Sequence, residues 1–320
     1  MSFVVSSLTD YTKENEALLV ASSVLGGKTV SLIKAQGNVM VGVKSSEKIN
    51  IMDTDAFFQD GTSCGFNASG TTTFTQRTVT VGKVKVNEAL CPKDLQAKYL
   101  QKALPAGSMY DSIAFATEYS NRKAEKIASQ IEKAIWQGDT ASADGNLNKT
   151  DGLVKLVAAA SASVIHANTT TYYGTPLAAS AGITTSNVIA VLDSVYKAIP
   201  AQVVDKDDVA IFVGMDIFRT YTIALKNANL FAYNFDGSAS SELTLPGTTI
   251  KVIAVQGLNG LSKIYASRIS NMFYGTDLLD EESRFELFYA KEADQVRFVS
   301  EFKFGINFAF ADEVVDFIPA

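Results

Sequence analysis

The 320-residue sequence has one histidine, two cysteines and one tryptophan, and each shortage excludes a class of chemistry. With His166 as the only imidazole, neither a histidine-rich metal centre nor a histidine acid–base pair is available. Cys64 and Cys91 lie in separate segments without CxxC spacing, so neither a dithiol redox pair nor a zinc site is expected, and both thiols read as buried or idle. No apolar run reaches the ~18 residues of a membrane span. The start, MSFVVSSLTDYTKENEALLV, lacks the basic residues and cleavage site of a secretory signal, which implies synthesis and use in a cytoplasm. Positive charge is also short: 28 Lys+Arg stand against 34 Asp+Glu, giving a net charge of -6. Without a basic cluster, direct DNA or RNA binding by phosphate neutralisation is not expected.

What is present is apolar mass, 47% of the residues, enough to bury a sizeable core in two compact units. The most marked stretch runs from Ser108 to Gly138. Ser108 with Asp111 resembles a capping box and Gly138 stands where a helix ends, so the segment predicts one helix of about 45 Å. Ile113, Ala116, Ser120, Ala124, Ile127, Ile131 and Ile135 recur at steps of three and four and form one stripe of mostly small residues that a sheet can approach closely. Glu118 pairs with Arg122 one turn on, and Lys123, Lys126 and Lys133 keep the other side wet.

Around this strut the chain divides by composition. Residues 1–50 predict an arm with a helical piece at Asp10 to Ala21 and β-rich stretches at Thr29 to Ala35 and Val39 to Val43, too poor in apolar residues for a core of its own. Residues 51–88 predict a projecting hairpin: a Gly/Ser/Thr-rich centre followed by the alternating strand Thr72 to Val86. Residues 89–150 hold a helix opened by Cys91-Pro92, the strut over 108–138, and the turn-rich connector TASADGNLNKTDG. A second unit, 151–270, alternates strands (Val154 to Val164, Val209 to Val213, Thr249 to Val255) with helices (Thr185 to Ile199, Met215 to Ala228). Residues 271–310 are strand-like, with Met272 to Thr276, Phe285 to Lys291 and Gln295 to Phe310 alternating aromatic or β-branched residues against charges and a tip at Lys291 to Asp294. Residues 311–320 return a last strand to the second unit. The long strands need an apolar partner, and the strut's stripe is the one long enough, so distant segments build one elongated α+β module with an α/β unit inserted in it.

Patterns that invite an enzyme fail on context. Gly61-Thr62-Ser63-Cys64-Gly65 matches a nucleophile elbow, but a loop and strand follow it, and His166 falls in another unit. Gly26-Gly27-Lys28-Thr29 resembles the end of a phosphate loop, yet Ser22 stands in place of the first glycine, and a turn is expected. The acidic groups Asp53 with Asp55, Asp205 with Asp207 and Asp208, and Asp280 with Glu281 and Glu282 lack the ligand rhythm of a calcium loop and read as solvated turns. Glu118, Glu125 and Glu132 share one side of the strut and suggest a salt-bridged surface. The expectation is no catalytic, cofactor-binding or metal-binding residue, and no enzyme.

The order of arm, projecting hairpin, spine helix, inserted domain and returning sheet resembles the major capsid proteins of tailed bacteriophages. DKDDVAIFVGMDIFRTYTIAL (Asp205 to Leu225), LPGTTIKVIAVQGLNG (Leu245 to Gly260) and NMFYGTDLLDEESRFELFYAKEADQVRFVSEFKFGINFAFADEVVDF (Asn271 to Phe317) carry the likeness. It implies the phage major-capsid fold: a peripheral domain with the spine helix and an elongated antiparallel sheet, an inserted axial domain, an extended N-terminal arm and a projecting β-hairpin. It also implies hexamers and pentamers forming an icosahedral shell around double-stranded DNA, without sequence-specific binding, in a virion assembled in the host cytoplasm. The likeness implies portal and decoration proteins as separate partners; nothing in these residues resembles a scaffolding segment, which would be either separate or already removed. Some relatives crosslink a hairpin lysine to an asparagine of a neighbour; Lys83 and Lys85 are the nearest lysines, no partner is identifiable, and crosslinking is not expected. The alternatives are an encapsulin-like compartment, which shares the fold and packs enzymes, and a serine hydrolase using Ser63.

Overall fold

The computed structural model describes residues 15–61, 65–66, 68–91, 112–170, 172–178, 182–228, 241–277 and 284–319. The first half of the chain gives helices α1 (Glu16–Leu25) and α2 (Lys28–Ala35), strands β1 (Val39–Val41), β2 (Ser46–Thr54), β3 (Thr72–Thr80) and β4 (Gly82–Leu90), and the long helix α3 (Ser112–Gln137). Then come α4 (Leu153–Ala159), β5 (Ile165–His166), α5 (Val188–Ala198), the single turn α6 (Ala201–Val204), β6 (Val209–Gly214) and α7 (Met215–Asn227). The remainder is β-rich: β7 (Glu242–Thr244), β8 (Lys251–Val255), β9 (Ile264–Arg268), β10 (Met272–Thr276), β11 (Arg284–Ala290), β12 (Gln295–Phe308) and β13 (Val315–Phe317).

Strand β12 organises the first sheet. Along one edge it pairs with β10 and then β11, and along the other with β4 from Phe304↔Gly82 to Val296↔Leu90, all antiparallel. β1 joins the far side of β10 in parallel. Phe285, Leu287, Val296, Phe298, Phe304 and Ile306 are fully or almost fully buried, and they share one core with Ile127, Ile131 and Ile135 of α3. The alternation that marked residues 271–310 as strands is the alternation that puts these aromatics on the helix. A second, six-stranded sheet in the order β5-β13-β9-β6-β8-β7 packs on α5 and α7 around its own core, including Val191, Val195, Ile211 and Val252.

The stripe of α3 is as its spacing predicts: Ser120, Ala124, Ile127, Ile131 and Ile135 are buried, while the side chains of Ile113 and Ala116, and Ser108 and Asp111, lie outside the described residues. Two other faces of the helix differ from expectation. Glu132 is not part of a wet, salt-bridged surface but 3% exposed, and Lys123 is ion-paired with Glu88 of β4. Glu118 pairs with Arg122 at 2.6 Å as the spacing suggests.

Residues 16–35 form no extended arm. Leu19, Val20, Val24, Val30 and Ile33 are buried against α3 and the first sheet, and Thr29 to Ala35, which composition suggests as strand, belongs to helix α2. Thr29, Val30 and Ile33 share its buried face, so tertiary packing overrides the β-branched preference. The turn Gly26-Gly27 joins two helices, and Glu132 closes it: its carboxylate accepts bonds from Thr29 N (3.1 Å) and Thr29 Oγ1 (2.5 Å), and Trp136 Nε1 donates to the same hydroxyl at 2.9 Å. Glu132 thus caps α2 from another helix, satisfying an amide the helix itself leaves orphaned. The expected strand Val154 to Val164 is also helical at its start: Leu153 and Val157, one turn apart, are the buried positions of α4, and a short apolar run does not distinguish the two states by periodicity. The predicted helix after Cys91 and the residues Asp280, Glu281 and Glu282 lie outside the described residues.

Burial pushes the Glu132 carboxyl above its ordinary range, against the opposing pull of the Thr29 hydrogen bonds. The native state therefore binds this proton more tightly than the unfolded one, and the contribution is fullest below the ordinary glutamate pKa and lost as pH rises through the native one. Relative to Glu132→Gln, the wild-type chain should lose stability as pH rises above the ordinary glutamate pKa of about 4.3, seen as a growing gap in urea midpoints. A gap that stays constant with pH would contradict this assignment. Glu132→Ala, which strands the Thr29 donors, should cost about 1–3 kcal/mol in the same measurement.

Candidate assembly surface

The residues of the enzyme-like sequence patterns fall at separate places in the chain, and those that are described have the following surroundings. Ser63, with Thr62 and Cys64, lies outside the described residues. His166 sits on β5, with Nδ1 2.6 Å from Asp316 Oδ1 and Nε2 3.1 Å from the Ser161 carbonyl. It holds β5 to β13, and burial raises the Asp316 carboxyl while His166 opposes that shift. Lys28 meets Glu242 at 3.4 Å and the Ser241 carbonyl, so it faces protein groups. Asp205, Asp207, Asp53 and Asp55 are exposed, whereas Asp208 binds Arg268 and the backbone and hydroxyl of Ser270. Among the described residues no three His, Cys, Asp or Glu are placed to hold a metal.

The surface that stands out is the hairpin. β2 and β3 pair over nine residues, from Ser46↔Thr80 to Thr54↔Thr72, and form a sheet of two strands only. At the far end Phe57, Phe58, Phe66 and Phe74 are 66%, 104%, 97% and 76% exposed, with Met52 at 60%. The sequence predicts projection from the scarcity of apolar residues in β3, a reading that gives these aromatics no weight. The signal is there in DTDAFFQDG: an aromatic pair inside an acidic turn-rich run, with no alternation that would bury it.

The hairpin boundary also differs from residues 51–88. β2 begins earlier, at Ser46, and the strand expected over Thr72 to Val86 is broken at Val81. β3 belongs to the hairpin, while β4 continues into the main sheet. The break lies where the chain crosses the main sheet at close range. A Cβ on Gly305 would collide with the Thr80 carbonyl, one on Gly82 with the Lys149 carbonyl, and one on Gly275 with Val79. The root is then fixed by small contacts. Ile49, Ile51 and Val79 pack with Ala309, the Arg77 guanidinium lies 4.4 Å from the Phe308 ring centroid, and Asn307 Nδ2 donates to the Thr78 carbonyl at 2.7 Å. A two-stranded ribbon is marginal alone, so this anchored root sets its direction. From Met52 to Gln76 the described residues of the hairpin are exposed.

A spine helix bound to an elongated antiparallel sheet, an inserted α/β unit and a hairpin thrown off the sheet's end together make the fold of the major capsid proteins of tailed bacteriophages. Comparison with solved structures finds it directly. The chain is similar to a chain of the satellite phage P4 procapsid, with a TM-score of 0.62 and 11% identity over 96% of this chain and 90% of that one. It is similar to the capsid of an empty GTA particle (TM-score 0.55, 13% identity, 93% and 90% covered) and to the capsid of Myoviridae phage XM1 (TM-score 0.54, 12% identity, 90% and 92% covered). No protein-family model and no curated protein matches the sequence.

The crossing of β3 over the sheet makes Gly305 a test of the hairpin's seating. Gly305→Ala forces its methyl group against backbone and should cost about 1–3 kcal/mol, with limited proteolysis now cutting within residues 46–80. An unchanged melting temperature and an intact hairpin would show that the crossing is looser than described.

Proposed function

We propose that this chain is the coat subunit of a tailed-bacteriophage capsid, a structural protein and not an enzyme. Copies assemble as hexamers and pentamers into an icosahedral shell enclosing double-stranded DNA, in a virion put together in the host cytoplasm. The observation that carries this is a fold shared with capsid chains over at least nine-tenths of each partner's length. In this assignment residues 82–90, the α3 helix and strands β10 to β12 form the peripheral domain, and the second sheet with α5 and α7 forms the axial domain.

The hairpin supports the same conclusion on physical grounds. Burying one Phe side chain contributes about 1.5–3 kcal/mol, so four left in water forgo an amount comparable with the net stability of a domain. Such a surface is retained where another surface covers it. The net charge of -6 suits a shell that encloses DNA without gripping it. Scaffolding, portal and decoration proteins are separate chains in this scheme.

Electron microscopy of the purified protein should show closed shells or their rings, and nuclease-protected DNA should be recovered from particles made in infected cells. A monodisperse monomer under every assembly condition would overturn the shell role, and particles carrying an enzyme instead of DNA would move the chain to the encapsulin-like class. Replacing residues 56–70 with Asn-Gly should leave the melting temperature nearly unchanged while lowering assembled mass about tenfold or more, the effect of losing roughly 1.4 kcal/mol per contact.

A further inference from the structure

The chain passes between the main sheet and the second sheet at adjacent places. It leaves β9 through the turn Ile269–Asn271 to enter β10, and it leaves β12 through residues 309–314 to enter β13. Asn271, 2% exposed, ties these two passages together. Its Oδ1 accepts from the amides of Ala309 (3.1 Å) and Phe310 (2.7 Å), and its Nδ2 donates to the Phe310 carbonyl at 2.7 Å. The passage from α4 into β5 lies beside them, with Ile165 N donating to the Val314 carbonyl at 3.0 Å.

At this junction one guanidinium serves two carboxylates. Arg268 donates through Nε to Asp208 Oδ1 at 3.2 Å and through Nη1 to Glu313 Oε1 at 3.4 Å. Asp208 also accepts from the amide and hydroxyl of Ser270, and against its burial these bonds hold it below its ordinary range. Glu313 has no such help: its Oε2 is buried and accepts no hydrogen bond among the described residues. Burial pushes the Glu313 carboxyl above its ordinary range, Arg268 opposes this, and the charges of Asp312 and Asp208 add to it. From β3, Arg77 feels the charge of Asp312, while His166 of β5 and Asp316 of β13 bind each other at 2.6 Å. Surroundings that push two neighbouring carboxyls apart in this way assign the proton to one of them.

We propose that Glu313 is a proton-operated latch on the passages between the two sheets, closed when its Oε2 carries a proton and eased when the carboxyl is ionised. The proton comes from solvent to the oxygen that lacks a donor, and Oε1 keeps its bond from Arg268. Its loss leaves charge on a buried oxygen beside Asp312 and sets Glu313 against Asp208 for a single guanidinium. The native chain binds this proton more tightly than the unfolded one, so the contribution is full below the ordinary glutamate pKa of about 4.3 and is lost as pH rises through the native value. Glu132 titrates in the same direction at the corner of α1 and α2, and a local measurement separates the two.

Amide hydrogen exchange of the full chain, followed from about pH 4.3 upward and corrected for intrinsic exchange rates, reads the latch where it acts. Protection at Ile165, Ala309 and Phe310 should fall about tenfold more than at amides within β6 and β8. Glu313→Gln, which keeps the shape and takes no proton, should abolish that difference. Asp312→Asn, at an exposed position, should reduce it in the otherwise unchanged chain and have no effect when added to Glu313→Gln. Circular dichroism checks that each variant folds, and if Glu313→Gln does not, the Asp312→Asn result decides alone. The same pH dependence at the three amides with and without these substitutions overturns the latch.

Discussion

Helix α3 is buried on more sides than an amphipathic helix normally is, and the arrangement of the whole chain follows from that. Ile127, Ile131 and Ile135 face the aromatic side of the main sheet. A quarter-turn away, Glu132 and Trp136 bind the corner between α1 and α2 through Thr29. The Trp136 ring also packs 5.3 Å from Phe212 and 5.9 Å from Tyr265 of the second sheet. One helix is therefore the common wall of the N-terminal helices, the main sheet and the inserted unit. A buried carboxylate at such a junction stabilises little in itself, because desolvation offsets its hydrogen bonds. What it contributes is specificity: only one placement of α2 presents an amide and a hydroxyl to it.

With its core closed in this way, the molecule holds two kinds of surface. Over the two sheets, apolar residues are inside and charges outside. On the hairpin the order is inverted, with Phe58 fully in water and Val79 at the root fully buried. The root is held by glycine crossings and an arginine over Phe308, so the tip is presented in a set direction and not left to search. Pre-orientation of this kind reduces the ordering cost of association.

How much of this could be seen in the sequence depends on the period of each element. Strands β10 to β12 were legible to within about two residues because aromatics alternate with charges over long runs, and α3 because its stripe recurs for about six turns. α2 and α4 were not, since each is about two turns of β-branched residues and alanine in which strand and helix give similar patterns. Glu132 was misassigned for a different reason. A seven-residue spacing with Glu118 and Glu125 shows that the three share a face, but not that the last turns of that face are covered by α2. The break at Val81 was hidden because its cause, the approach of Thr80 to Gly305, joins residues more than two hundred positions apart. The exposed phenylalanines were visible but unweighted, because an apolar residue without periodicity has no predicted side.

That the likeness to capsid chains survives at 11–13% identity follows from what the fold requires of its residues. An active site fixes side-chain identity, since a reacting atom tolerates few substitutes. Here most demands are on volume, period and polarity: a stripe of small and branched residues on one helix, aromatic alternation in one long strand, glycine where two backbones cross. Many sequences satisfy those demands, and hydrophobic cores tolerate wide substitution when volume and pattern are kept. Sequence then records the fold as a rhythm.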